Sequence, residues 1–152
     1  MATAKVFPFP LSVRWLDGRR VEASLEGRPA LEVATPAEFK GGVVGRWTPE
    51  DLLVASAATC WQLTFLALAD RRGIPVRALE LDAVGEVTTR EDRRFTFTGI
   101  DLDVRIETEP GQVDAARAAA EEAEPLCIVG IVLDLPVRVR IEVATRESAL
   151  AG

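Results

Sequence analysis

An α+β fold in a single domain is what this sequence predicts, and three observations carry the prediction. Leu52 to Ala69 is a run of 18 residues without a charge, opened by helix-start chemistry and followed by a glycine stop. Two long alternating segments separated by a charged turn come after it. The remaining pieces, read by periodicity, give the order β-β-β-α-β-β-α-β, with no repeat, low-complexity tract or linker. That order predicts one sheet curled around a central helix. At 152 residues the chain is long enough to bury one sizeable core.

The first third alternates in short bursts. Leu11-Ser-Val-Arg-Trp-Leu16 and Val21-Glu-Ala-Ser-Leu25 flank Asp17-Gly18, a dipeptide suited to a tight hairpin turn. Ala30-Leu-Glu-Val-Ala34 follows the turn Gly27-Arg-Pro29, so a three-stranded meander is expected over about residues 10–35. Thr35 to Gly45 holds three glycines and a proline and reads as a loop. Then Thr48 stands at an N-cap, Pro49 at the first helical position, and Glu50 and Asp51 in the first turn. Asp51, three residues after Thr48, makes a shorter relative of the capping box. The helix is expected over 49–72, stopping at Gly73 with Pro75 beyond, a rod of roughly 36 Å.

The uncharged length of this helix touches the threshold for a membrane span. Ser56, Thr59, Gln62, Thr64 and five alanines make it a poor one, and no second candidate exists. A helix buried on nearly all sides, in part by a second subunit, fits better. Residues 77–90 and 94–107 alternate around Arg90-Glu-Asp-Arg93, an antiparallel hairpin with one wet face. Pro110-Gly111 opens an Ala-rich amphipathic helix over 111–124 that ends at Pro125. Ile128 to Leu133 is short and apolar, and Leu135 to Val143 alternates as a last strand.

Composition excludes whole classes of chemistry. There is no histidine, so Ser-His-Asp, Cys-His and His-ligated metal mechanisms are ruled out. Two cysteines cannot supply a four-thiolate zinc site from one chain, and no Gly-rich phosphate loop is present. A net charge of -6 with scattered Lys and Arg argues against nucleic acid or an anionic membrane as partner. The N-terminus lacks the basic start and apolar core of a secretory signal, so a cytoplasmic location is expected. In that reducing compartment two cysteines are either inert packing or chemistry.

Cys60 lies near the middle of the long helix, where a buried thiol is ordinarily unreactive. Cys127 follows Glu124-Pro-Leu at the end of the second helix, and alone it too reads as packing. Together they read differently, because each sits on or just after one of only two helices. Packed together, one thiolate could attack a peroxide and the other condense with the sulfenic acid. Such a thiolate needs a cation nearby. Glu50 either holds an arginine for that purpose or simply complements the helix dipole.

Gly45-Arg-Trp-Thr-Pro-Glu-Asp-Leu-Leu-Val-Ala-Ser-Ala-Ala-Thr-Cys60 resembles the OsmC/Ohr family, in which a Pro-Glu-x-Leu helix start precedes a cysteine by ten residues. Ala123-Glu-Pro-Leu-Cys127 resembles that family's second cysteine, and the element order agrees over about residues 10–145. The resemblance implies curled antiparallel sheets around a long central helix and an intertwined homodimer with sites at the subunit interface. It implies Cys60 as peroxidatic thiolate, Cys127 as resolving cysteine and Glu50 as the residue orienting an activating arginine. Small dithiols, lipoyl groups among them, would regenerate the pair without metal, flavin or other cofactor. This chain has Cys127-Ile-Val-Gly130 where the family usually has Cys-Pro-x-Ser. The activating cation is open among Arg14, Arg19, Lys40 and Arg46, the last nearest the helix start.

Trp61 and Trp47, with Phe39 and Phe65 near in sequence, read as core, or as an apolar pocket favouring an alkyl hydroperoxide over hydrogen peroxide. The leading expectation is thus thiol-dependent reduction of organic hydroperoxides. The alternative is a non-enzymatic relative binding a small lipophilic ligand at the dimer interface. A redox sensor is a third reading, for which the sequence offers no recognisable effector surface.

Overall fold

A computed structural model describes residues 4–146. Its contacts divide the chain into two compact units whose boundary, between Leu52 and Leu53, falls inside the long helix.

In the first unit, β1 (Ser12–Asp17), β2 (Arg20–Ser24) and β3 (Leu31–Ala34) form an antiparallel meander in that order. The turn between β1 and β2 is Gly18-Arg19, one residue later than Asp17-Gly18, because Asp17 still pairs with Arg20. Gly18 supplies a positive φ of 43° there. The loop after β3 folds back on it: the Ala34 N–H donates to the Trp47 carbonyl at 2.8 Å. Thr48 then caps α1 (Pro49–Arg71) as the spacing predicts. The Asp51 N–H donates to Thr48 Oγ1 at 3.1 Å, and the Thr48 N–H donates to Asp51 Oδ2 at 2.9 Å.

The second unit begins with the rest of α1. Its end is a Schellman motif: Gly73 takes φ 66°, and the Ile74 N–H reaches the Ala69 carbonyl at 2.9 Å. β4 (Val76–Thr89) and β5 (Phe95–Thr108) make the long hairpin. At its tip Arg93 adopts φ 64°, and Asp92 Oδ1 accepts the Arg94 N–H at 3.0 Å. α2 (Val113–Leu126), α3 (Ile128–Val132) and β6 (Val137–Thr145) follow. α2 runs two residues past the expected end, with Pro125 inside its last turn. A proline there forfeits only a hydrogen bond near the frayed end, and the Cys127 N–H closes the turn on the Glu124 carbonyl. The short apolar stretch after Cys127, to which the sequence assigned no element, is the helix α3.

The expectation of a single curled sheet with antiparallel strands needs correcting. There are two three-stranded sheets, β1-β2-β3 and β4-β5-β6, and β6 runs parallel to β5. The reason is the crossover: α2 and α3 carry the chain back before β6 starts, as a parallel pairing requires. That register sets Asp101 opposite Arg138 and Asp103 opposite Arg140, and the two pairs close at 2.5 Å and 3.0 Å.

The core belongs to the second unit. Trp61, Phe65 and Leu68 from α1, Ile100, Leu102, Val104 and Ile106 from β5, and four alanines of α2 form one buried cluster. Ala116, Ala119, Ala120 and Ala123 have no accessible surface, so the helix backbone sits close against its neighbours. Gly85 of β4 marks another close approach, since a Cβ there would lie 2.4 Å from Val54 Cγ2 of α1. By length and composition α1 alone among the described residues could cross a membrane. Within the chain 33% of its most apolar stretch is buried, not nearly all of it. One face packs in the core, while Leu63 stays 65% exposed.

Candidate active site

Cys60, on α1, and Cys127, at the junction of α2 and α3, meet in the core cluster of the second unit. Cys60 is partly exposed and Cys127 is buried; both are free thiols, and Cys60 packs against the core cluster that holds Cys127. Burial pushes the Cys60 thiol up in pKa. Hydrogen bonds from the Cys127 thiol, the Val129 N–H, the Thr64 hydroxyl and the Ile128 N–H outweigh it and hold Cys60 below the usual thiol range. Thr64 contributes least securely, because its hydroxyl already donates to the Cys60 carbonyl at 2.7 Å. Cys127 goes the other way: burial raises its pKa, and the neighbouring Cys60 raises it further. The two thiols are thus displaced in opposite directions.

Glu50, in the first turn of α1, has Oε2 buried without a hydrogen-bond partner. A carboxylate oxygen in that state is a standing demand for a donor. The candidate cations are distributed as follows. Arg46 is held by Glu32 at 2.7 Å and also donates to the Gly45 carbonyl. Glu32 is shared with Arg20 at 2.7 Å, and the two guanidinium groups hold its carboxyl below the usual range. Arg14 pairs with Glu22 at 2.9 Å. Among the described residues Arg19 and Lys40 carry no ion pair. Arg19 instead lines a cleft of about 300 Å³ in the first unit, together with Trp15, Val21, Val33 and Pro49. Of the aromatic residues, Trp61 and Phe65 are core, stacked with centroids 5.7 Å apart, whereas Trp47 is 49% exposed.

No group of three or more Cys, Asp or Glu side chains is arranged to hold a metal among the described residues. The arrangement suits two-sulfur redox chemistry.

A model of the family described as OsmC-like protein matches residues 40–142. This chain belongs to the OsmC-like family. It is similar to the uncharacterized protein YmaD of Bacillus subtilis, at 23% identity over 91% of this chain and 94% of that one. Among solved structures, an OsmC-like protein of unknown function from Vibrio cholerae matches with a TM-score of 0.80 at 16% identity, covering 90% of this chain and all of the other. An organic hydroperoxide resistance protein OsmC from Legionella pneumophila matches at 0.70 and 21% identity, covering 93% and 99%. OhrB of Bacillus subtilis, an organic hydroperoxide resistance protein, matches at 0.61 and 18%, covering 91% and 98%. These likenesses show the OsmC-like fold, α+β with two sheets and helices.

The groups that sequence reasoning missed are those around Cys60 rather than the cysteine itself. The Val129 and Ile128 N–H groups were invisible because α3 was not recognised as a helix. Thr64 was within reach of inspection: at i+4 from Cys60 it shares the same helix face.

Proposed function

We propose that this OsmC-like protein is a thiol-dependent peroxidase that reduces organic hydroperoxides, working as a homodimer in the cytoplasm. The observation that carries this reading is the meeting of the chain's two cysteines, Cys60 and Cys127, in one core cluster, with pKa values displaced in opposite directions beside it. The Cys60 thiolate attacks the terminal peroxide oxygen, and the O–O bond breaks. The alkoxide takes a proton and leaves as an alcohol, while Cys60 becomes a sulfenic acid. The Cys127 sulfur then attacks Cys60, its proton and the expelled hydroxide leave as water, and a disulfide forms. A small dithiol, such as a lipoyl group, returns both sulfurs to thiols and is itself oxidised to a disulfide.

Glu50 supports the reading, since its unpartnered Oε2 offers an anchor for the guanidinium that such a thiolate requires. Of the four candidate cations, Arg14 and Arg46 already have carboxylate partners, whereas Arg19 and Lys40 carry no ion pair among the described residues. The exposed apolar side of α1 suits a second copy of the chain.

The test is one equivalent of cumene hydroperoxide added to the reduced protein, followed by thiol titration and peptide mapping. Rapid loss of both thiols into a Cys60–Cys127 bridge that a dithiol reverses is the expected result. Thiols that survive minutes of exposure would sink the peroxidase reading in favour of a non-enzymatic relative that binds a small lipophilic molecule.

A further inference from the structure

α3 is helical against the preference of its own residues. Ile128-Val-Gly-Ile-Val132 is four β-branched residues around a glycine, all weaker helix formers than alanine or leucine. Five residues are also too few for a helix to stand by itself. None of its side chains is buried, and Ile128, Ile131 and Val132 are exposed. Val129, with Leu133 just beyond, packs against the core cluster while only partly buried. Contacts outside the segment, not propensity, hold this turn.

Cys127 is where those contacts converge. Its N–H closes α2 on the Glu124 carbonyl at 3.3 Å, and its carbonyl accepts the Ile131 N–H at 3.0 Å to start α3. A Cβ at Gly130 would lie 3.7 Å from Cys127 Sγ, so the α3 backbone runs beside that buried residue's sulfur. One residue thus ends a helix, begins another and carries a thiol of the redox pair. A disulfide imposes a narrow separation and direction on the two Cβ atoms. Cys60 stands in a 23-residue helix anchored in the core by Trp61, Phe65 and Leu68, so Cys127 and α3 are the softer side.

We propose that α3 is a redox-operated cover on the cysteine pair. It is wound beside Cys127 while both thiols are reduced and unwound by the Cys60–Cys127 bridge, which is thereby opened to the dithiol. This cover rests on the two-sulfur chemistry proposed above, which it regulates. Bridge formation passes two electrons and two protons from the thiols to the hydroperoxide, which leaves as alcohol and water. The dithiol returns two electrons and two protons to the sulfurs as α3 rewinds.

The test compares backbone ¹³C chemical shifts over residues 126–133 in the ¹³C,¹⁵N-labelled protein, reduced and bridged. Diamide, a general thiol oxidant that is itself reduced to a hydrazine, makes the bridge, and peptide mapping verifies it. Helical Cα shifts over 128–132 are expected in the reduced protein and coil-like ones in the bridged protein, with α1 unchanged and a dithiol restoring the helix. Gly130→Ala, a better helix former where a Cβ makes ordinary contact, should keep more of the helix after bridging and slow reduction by dithiothreitol several-fold. Coil shifts already in the reduced protein, helical shifts that survive bridging, or equal loss throughout α1 would each overturn the proposal. So would a pair that diamide cannot bridge, or a Gly130→Ala protein that behaves as the wild type. Cumene hydroperoxide takes no part, so its failure to oxidise Cys60 would sink the peroxidase reading and leave this result standing.

Discussion

Cys60 on α1 and Cys127 at the α2–α3 junction share one core cluster, and the two thiols have opposite tendencies: Cys60 is drawn toward the thiolate and Cys127 away from it. An inert pair of core cysteines would both be raised by burial. Here the α3 N–H groups and the Cys127 thiol reverse that sign for Cys60 alone.

Removing the second sulfur should therefore arrest the reaction rather than prevent it. In Cys127→Ser, one equivalent of cumene hydroperoxide should leave Cys60 as a sulfenic acid, trapped by dimedone and seen by mass spectrometry. In Cys60→Ser, Cys127 should remain unmodified over the same time. Equal reactivity of Cys127 in that variant would reverse the assignment of roles.

The pH dependence follows from the same directions. The rate of Cys60 with hydroperoxide or iodoacetamide should rise with a midpoint below the ordinary thiol value of about 8.5. The sign for stability differs between the two sulfurs. The depressed Cys60 contributes stability above its unfolded pKa, lost as pH falls through its folded value. The raised Cys127 contributes stability below its unfolded pKa, lost as pH rises through its folded value. Thiolate absorbance at 240 nm of the reduced wild-type protein, followed across pH, reads both titrations; a first step above about 8.5 would contradict the depression of Cys60.

Glu50→Gln tests the cation anchor. Loss of the carboxylate should raise the Cys60 midpoint and slow its reaction with hydroperoxide by about tenfold per pKa unit. Saturating dithiol should not rescue the rate, because the defect lies in the first step. An unchanged midpoint would reduce Glu50 to a helix-dipole acid.

Gly85→Ala should destabilise the fold by about 1–3 kcal/mol, because the new methyl group collides with the stiff Val54 side chain. Gly99→Ala is the control: the nearest atoms there belong to the Arg138 guanidinium, which can swing aside. Urea midpoints of the two variants should differ clearly, and equal midpoints would mean that α1 has room to move away from β4.

Thr48→Ala removes the acceptor for the Asp51 N–H and should cost about 1 kcal/mol. Thr48→Ser, which keeps the hydroxyl, should recover most of it by the same urea titration.

What the sequence determined by itself is what depends on local physics. The N-cap at Thr48, the stop at Gly73, the meander and the Arg90–Arg93 turn all follow from short-range rules, and each is found within a residue or two of its expected place. The two cysteines stood out because a chain with no histidine has few other nucleophiles. Tertiary structure decided the rest, because it depends on which surfaces meet. The alternation of β6 reads the same in either direction, and only the return path through α2 and α3 makes it parallel to β5. Arg46 is close in sequence to Glu50, yet Glu32 from β3 holds its guanidinium. The sign of the Cys60 shift also arises there: burial alone raises a thiol, and the Cys127 thiol and the α3 N–H groups that overrule it lie more than sixty positions away.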